Sequence, residues 1–151
     1  MQSAAETDLS PAQRQDLRAL AGLMIPASKE FAVPGADDAA IFDDILRSLG
    51  RDRDSVRAAL ARLAAQAGGS FAALDEAGQD AVAAAFLATN TPDVTILGRV
   101  ILQCYYRDDR VVRSLGLEPR PPFPKGHTLE QGDWSLLDPV CARPKLWRDA
   151  P

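Results

Sequence analysis

Residues that could carry catalytic chemistry are few and widely spaced in this chain. His127 is the only histidine, and Cys104 and Cys141 are the only cysteines. General acid–base and nucleophilic catalysis need titratable side chains held near one another. His127 follows a Lys-Gly pair that predicts a solvent-exposed turn. Cys104 falls on the apolar face of a predicted helix, where burial would raise the pKa of the thiol and make it inert. We therefore predict that the chain has no catalytic residues.

Three pairs of adjacent acidic residues are the candidates for a metal site: 37–38, 43–44 and 108–109. Neighbouring carboxylates on a helix point about 100° apart, and the spacing of an EF-hand loop is absent. Helix capping and solvent-exposed positions explain the pairs better. The sequence also lacks a CxxC pair, a GxGxxG motif and a Walker loop. We expect neither a metal nor a cofactor in this chain.

Composition and charge limit the possible partners and locations. The net charge is −4 and no basic cluster stands out, so we expect no nucleic-acid partner. No apolar run is long enough for a transmembrane segment. Since no secretory signal is visible in the chain as given, we predict a cytoplasmic location; a periplasmic one, after signal removal or export with a partner, is the alternative. The two cysteines are either unpaired thiols or, in an oxidising compartment, form a disulfide that links the tail to the core.

Helix signals fill the first three quarters of the chain. Aromatic residues make up only 6%, and alanine is abundant, which favours helices over strands. We predict an all-α fold, a small bundle of five to six helices over residues 1–116. The predicted helix starts are Ser10–Pro11 with Gln13, Arg53, Asp75, Thr91–Pro92 and Asp108. In the second helix, Asp37 and Asp38 are predicted to lie in the first turn.

Two helices have distinctive predicted faces. The helix after Asp75 is rich in alanine, and its predicted inner face holds Val82, Ala85 and Phe86. The helix after Pro92 is apolar nearly all round, which predicts burial on more than one side. We expect this helix either to be the centre of the bundle or to lie between the bundle and a partner.

The tail, residues 117–151, differs in character from the bundle. It holds seven of the eleven prolines and both tryptophans. The run from Glu118 to Pro124 must be extended, and Asp133 can cap one helical turn that Pro139 would end. Disordered tails are poor in large aromatic side chains, so we expect this one to bury them. It either packs on its own bundle or binds another protein, and both are possible along its length.

Tyr105 and Tyr106 end the fifth predicted helix. Consecutive helical residues face different sides, so one tyrosine can join the core while the other points outward. An outward tyrosine beside the proline strip would be a typical interface anchor.

The same stretch carries a resemblance to a known family. Tyr105-Tyr106-x-Asp108, Arg110-Val111, Leu115-Gly116 and Arg120-Pro121-Pro122-Phe123-Pro124-x-Gly126 resemble the C-terminal half of the gluconate 2-dehydrogenase subunit 3 family. Near the start, Leu17-x-x-Leu20-Ala21, Ile25-Pro26 and Pro34-Gly35-Ala36 are similar to that family's opening. The likeness covers roughly residues 8 to 148.

This resemblance implies a non-catalytic, chaperone-like small subunit of a bacterial sugar-oxidising complex. The partner would be a large FAD-dependent dehydrogenase of the glucose–methanol–choline (GMC) type, forming a heterodimer; some such complexes add a multihaem cytochrome c subunit. Many relatives carry a twin-arginine signal, and no paired arginines precede the first helix here. The alternative function is a stand-alone helical adaptor that binds other proteins. The predicted partner-binding residues are Tyr105, Tyr106, Arg110, Arg120, Pro122, Phe123, Pro124, Trp134 and Trp147.

Overall fold

A computed structural model describes residues 9–120, 126 and 130–145, and divides the chain into two units. The first unit ends at Pro119 and the second begins at Arg120. The first unit contains α1 (Pro11–Met24), α2 (Ala39–Ser48), α3 (Arg53–Ala67), α4 (Glu76–Ala88), α5 (Pro92–Tyr106) and α6 (Asp109–Ser114). The second contains α7 (Asp138–Cys141). Short 3₁₀ turns occupy Gly50–Asp52, Phe71–Ala73 and Trp134–Leu137.

The predicted all-α fold is confirmed. Among the residues that the structure describes there is no β-strand; the only β-type pairing is one isolated antiparallel bridge between Ser28 and Val33, in the loop from α1 to α2. None of the described helices is long and apolar enough to cross a membrane.

The first unit is a helical bundle with α3 and α5 at its centre. Helix α3 packs against α1, α4 and α5, and α2 packs against α5. The Phe71–Ala73 turn packs against α1 and buries Phe71 completely. The largest fully buried side chains are Phe71, Phe86, Leu17, Leu20, Ile41, Ile45, Leu49, Leu60, Leu63, Leu97, Ile101 and Val56. Burial of side chains of this size contributes about 1.5–3 kcal/mol each, so this cluster accounts for the cohesion of the bundle.

Local capping signals place most helix starts where the sequence predicts them. The Ser10 hydroxyl accepts a hydrogen bond from the amide of Gln13, whose side chain accepts one from the amide of Ser10. Asp75 caps α4 through the amide of Gly78 at 2.9 Å. Thr91 is the N-cap residue of α5, but its hydroxyl makes no capping hydrogen bond. Each of these helix starts is set by residues within four positions of it in the sequence. The sequence alone therefore predicts them.

Two details of the predicted bundle are wrong. On the inner face of α4, Phe86 is buried as predicted and Val82 packs partly buried against the core, but Ala85 is exposed and Ala83 is buried instead. The six alanines of this helix give little contrast between its faces, so the pattern does not show which alanine points inward. Asp38 is the N-cap of α2 and precedes the helix, whereas the prediction placed it in the first turn.

Helix α5 is buried against two neighbours but not all round. Its buried residues are Val94, Leu97, Val100, Ile101, Cys104 and Tyr105. Leu102 and Tyr106, four residues apart and therefore on one face, are 42% and 54% exposed. The bundle thus leaves an apolar stripe of α5 uncovered.

In the second unit, a capped 3₁₀ turn runs directly into α7. Asp133 accepts a hydrogen bond from the amide of Ser135 at 3.0 Å. The prediction that Pro139 ends this turn is wrong, because Pro139 stands in the first turn of α7. Proline suits that position because its missing N–H has no helical partner there anyway. Every residue described between 130 and 145 is exposed.

Candidate partner-binding surface

The tyrosine pair at the end of α5 divides between core and surface. Tyr105 is 5% exposed, and burial raises the pKa of its hydroxyl. Tyr106 is 54% exposed and meets Tyr105 edge to face, with ring centroids 5.2 Å apart. Tyr106 is therefore the member of the pair that a partner can reach, and Tyr105, also predicted to bind, supports it from the core.

Arg110, a predicted partner-binding residue, is engaged inside the first unit. Its guanidinium lies 2.7 Å from Asp38 and 3.0 Å from Asp108. Asp38 is the N-cap of α2 and Asp108 is the N-cap of α6. Hydrogen bonds from Arg110 hold the pKa of both carboxyls below their usual range. Arg110 therefore ties the start of α6 to the start of α2.

A second arginine, which the sequence analysis did not single out, fixes the end of α5. Arg107 lies 2.6 Å from the carboxylate of Asp44 and donates to the hydroxyl of Ser48, both on α2. It also lies 3.6 Å from the sulfur of Cys104. Since Arg107 contacts residues some 60 positions away, no local pattern identifies it.

Exposed apolar side chains continue from α5 past α6. Gly116, with a φ of +74°, ends the helical region in the left-handed conformation that glycine favours. On either side of it, Leu115 and Leu117 are 57% and 60% exposed. With Leu102 and Tyr106 they are four exposed large apolar residues between positions 102 and 117.

The described part of the tail carries four exposed large apolar residues: Trp134, Leu136, Leu137 and Val140. Trp134 and Leu136 are about 70% exposed, and Val140 is more than half exposed. The indole of Trp134 donates to the side chain of Gln131 at 3.2 Å. Large side chains exposed on a short capped turn are typical of a segment that binds something outside itself. We call Trp134, Leu136, Leu137 and Val140 the tail patch.

The remaining predicted partner-binding residues have different outcomes. Arg120 donates to the carbonyl of Gly126 at 2.8 Å, within the second unit. Pro122, Phe123, Pro124 and Trp147 lie outside the described residues, and their predicted roles stay predictions.

The candidate chemical groups do not converge on a site in the described part of the chain. Cys104 is buried in α5, and burial is the main cause that raises the pKa of its thiol, as predicted. Cys141 is exposed, and both thiols are free. No group of three or more histidine, cysteine or acidic side chains with metal-binding geometry occurs among the described residues. His127 lies outside them.

No family model matches the chain, and no significant match is found among curated proteins or among solved structures. The resemblance to the gluconate 2-dehydrogenase subunit 3 family therefore rests on the residues quoted for it.

Proposed function

We propose that this chain is the non-catalytic small subunit of an FAD-dependent dehydrogenase of the GMC type, which it binds and stabilises. The observation that carries the proposal is the tail patch, because its apolar side chains are exposed on a turn that is already formed. The resemblance of the tyrosine-to-proline stretch supplies the class of partner. The oxidation of an alcohol group of a sugar or sugar acid, with FAD, belongs in this proposal to the partner.

The tail patch has the properties of an interface anchor. Asp133 caps its turn, and Gln131 holds the indole of Trp134, so little conformational freedom is left for binding to remove. Tryptophan is enriched among the residues that dominate binding energy, and exposed leucines next to it can complete a dry contact. An extended segment with such anchors can cover a large partner surface.

Purification of the tagged chain from its native host tests the proposal. We expect a large, yellow, flavin-absorbing protein to co-purify with it in a fixed ratio. A colourless, monodisperse and stable monomer would instead favour the stand-alone adaptor.

A pair of variants separates binding from folding. Trp134→Ala combined with Leu136→Ala should reduce recovery of the flavoprotein at least about tenfold, since an anchor residue contributes roughly 2 kcal/mol or more. The melting temperature of the isolated chain should stay the same. Phe31→Ala, which truncates an equally exposed aromatic residue (65%) in the bundle, is the matched control and should change neither. If the tail variant lowered the melting temperature as much as the recovery, the patch would belong to the protein's own core.

A further inference from the structure

An open cleft lies on the first unit, on the side of α1 that faces the Phe71–Ala73 turn. Its volume is about 820 Å³, within the range of known ligand sites. The cleft is lined by α1, by the loop after it, which includes Asp37, by the Phe71–Ala73 turn and by Gln79 of α4. Five of its twelve lining residues are alanine or glycine, and we call these the floor: Ala19, Gly22, Ala27, Ala72 and Ala73. We call this the Arg18 cleft, because Arg18 is the only cation among its lining residues.

Arg18 is held in place with its terminal nitrogens still available. Its Nε donates to the carbonyl oxygen of Asp37 at 3.0 Å, and its guanidinium lies 5.7 Å from the centre of the Phe42 ring. Within the described chain, the bond from Nε is the only hydrogen bond that this guanidinium makes. A guanidinium fixed through Nε and one face offers its two amino groups to a carboxylate at little entropic cost.

Asp37 supplies the opposite charge in the same cleft. It is exposed, and its carboxylate forms no ion pair within 4.0 Å with any described residue, Arg18 included. A Cβ placed on Gly22 would lie 3.0 Å from the Cβ of Asp37, so the Asp37 side chain packs closely over this glycine. The cleft therefore presents one unpaired cation and one unpaired anion above a floor of small residues.

The opposite wall is held rigidly by buried polar contacts. Asp16, 4% exposed, accepts hydrogen bonds from the Ser70 hydroxyl and the Ala72 amide, both at 2.9 Å. Gln79 donates to the carbonyl of Leu74 at 3.2 Å. These contacts fix the turn against α1, so the cleft exists before any ligand binds.

We propose that the Arg18 cleft binds an extended peptide segment that carries one acidic and one basic side chain. The acidic side chain pairs with Arg18 and the basic one with Asp37, while the small floor lets the peptide backbone approach closely. The openness of the cleft, in which Arg18, Asp37 and Ala73 are all exposed, suits a segment that stays partly in solvent. This site lies on the bundle, away from the tail patch in sequence, and does not depend on the proposed dehydrogenase partner.

The test uses the full chain and an acetylated, amidated octapeptide with the repeat Glu-Ala-Lys-Ala. Alternate residues share one face of an extended chain, and eight residues are too few for a stable helix. Nuclear magnetic resonance titration should give saturable shifts at the amides of Gly22 and Ala72. Peptides with Gln in place of Glu, or Gln in place of Lys, should each bind about tenfold more weakly, as expected for the loss of a charged hydrogen bond.

Variants of the chain assign each charge. Arg18→Gln should weaken binding of the parent peptide about tenfold and leave the affinity for the Gln-for-Glu peptide unchanged. Asp37→Asn should likewise weaken binding of the parent peptide and leave the affinity for the Gln-for-Lys peptide unchanged. Arg113→Gln, which removes an exposed cation on α6, is the matched control and should change binding less than twofold. Ala73→Glu, which adds a carboxylate at the floor, should abolish binding even if Arg18→Gln proves unstable.

Four outcomes would overturn the proposal. They are the absence of saturable shifts in the wild-type chain, equal binding of all three peptides, equal effects of Arg18→Gln and Arg113→Gln, or unchanged binding by the folded Ala73→Glu variant.

Discussion

The guanidinium of Arg110 lies 2.7 Å from the carboxylate of Asp38, 72 positions earlier in the chain. The same guanidinium reaches Asp108 at 3.0 Å. Two helix N-caps thus share one cation, and the start of α6 is fixed to the start of α2. The contact therefore joins two elements that the chain keeps far apart in sequence.

Arg110→Gln should lower the free energy of unfolding by about 1 kcal/mol, since the three side chains are partly exposed and screened by solvent. Chemical denaturation at neutral pH measures this. Arg113→Gln is the control, because it breaks only the exposed contact with Asp109 on the same helix and should cost less than about 0.5 kcal/mol. Equal losses in the two variants would contradict the role of Arg110.

The contribution of Arg110 should depend on pH in a definite direction. It holds the pKa of Asp38 and Asp108 below the ordinary aspartate value of about 3.9. A depressed carboxyl pKa stabilises the folded state above the unfolded pKa, and that stabilisation is lost as the pH falls through the folded pKa. The difference between wild type and Arg110→Gln should therefore be largest near neutral pH and shrink below about pH 4. A difference that grew on acidification would refute this account.

The two thiols should react very differently with an alkylating reagent. Cys141 is exposed, whereas Cys104 is buried and the pKa of its thiol is raised. At neutral pH the native chain should take up one label, at Cys141, and the denatured chain two. Mass spectrometry of the labelled peptides reads this directly. Rapid labelling of Cys104 in the native chain would mean that α5 is not packed as described.

Adjacent residues of α4 give a matched test of the core. Phe86 is completely buried and Leu87 is 37% exposed. Phe86→Ala should cost about 3–5 kcal/mol through lost burial and a cavity, and Leu87→Ala less than about 1 kcal/mol. Thermal or urea unfolding of both variants decides the point. Similar losses would place the inner face of α4 elsewhere.

Asp16 should be a structural residue despite its charge. Asp16→Ala leaves the Ala72 amide without its partner and should cost about 1–3 kcal/mol. Asp43→Ala removes an exposed carboxylate on α2 and should change stability by less than about 0.5 kcal/mol. Hydrogen exchange at the Ala72 amide is the second measurement, and it should accelerate only in the Asp16 variant. An Asp16 variant as stable as wild type would show that the turn is held without this carboxylate.

Local signals explain why most of the fold could be predicted from the sequence. A cap such as Ser10 with Gln13, or Asp75 with Gly78, involves neighbours in the chain, and the apolar stripe of α3 repeats at helical spacing. Where the local signal is weak, the prediction fails. The pattern of α4 selects Ala85 although Ala83 is the buried alanine, and Pro139 looks like a helix end although it stands in the first turn of a helix.

The long-range polar contacts could not be predicted in the same way. Asp16 lies 54 positions from Ser70, and Arg107 lies 63 from Asp44. In the sequence each is one more charged residue on a helix, the kind that usually faces solvent. Among the predicted partner-binding residues, Tyr106 and Trp134 are exposed, whereas Tyr105 is buried and Arg110 is paired within the bundle. Partner binding by these residues stays a prediction.

The bridge between Ser28 and Val33 has a practical consequence for engineering the protein. The amide and carbonyl of each residue pair at 3.0 Å, which closes the loop at its base. Its tip, from Lys29 to Ala32, is exposed and includes Ala32 with a φ of +51°. A closed base with a solvent-facing tip is the geometry that tolerates an inserted epitope or a fused fluorescent domain. Such an insertion would label the chain internally and leave both of its ends free.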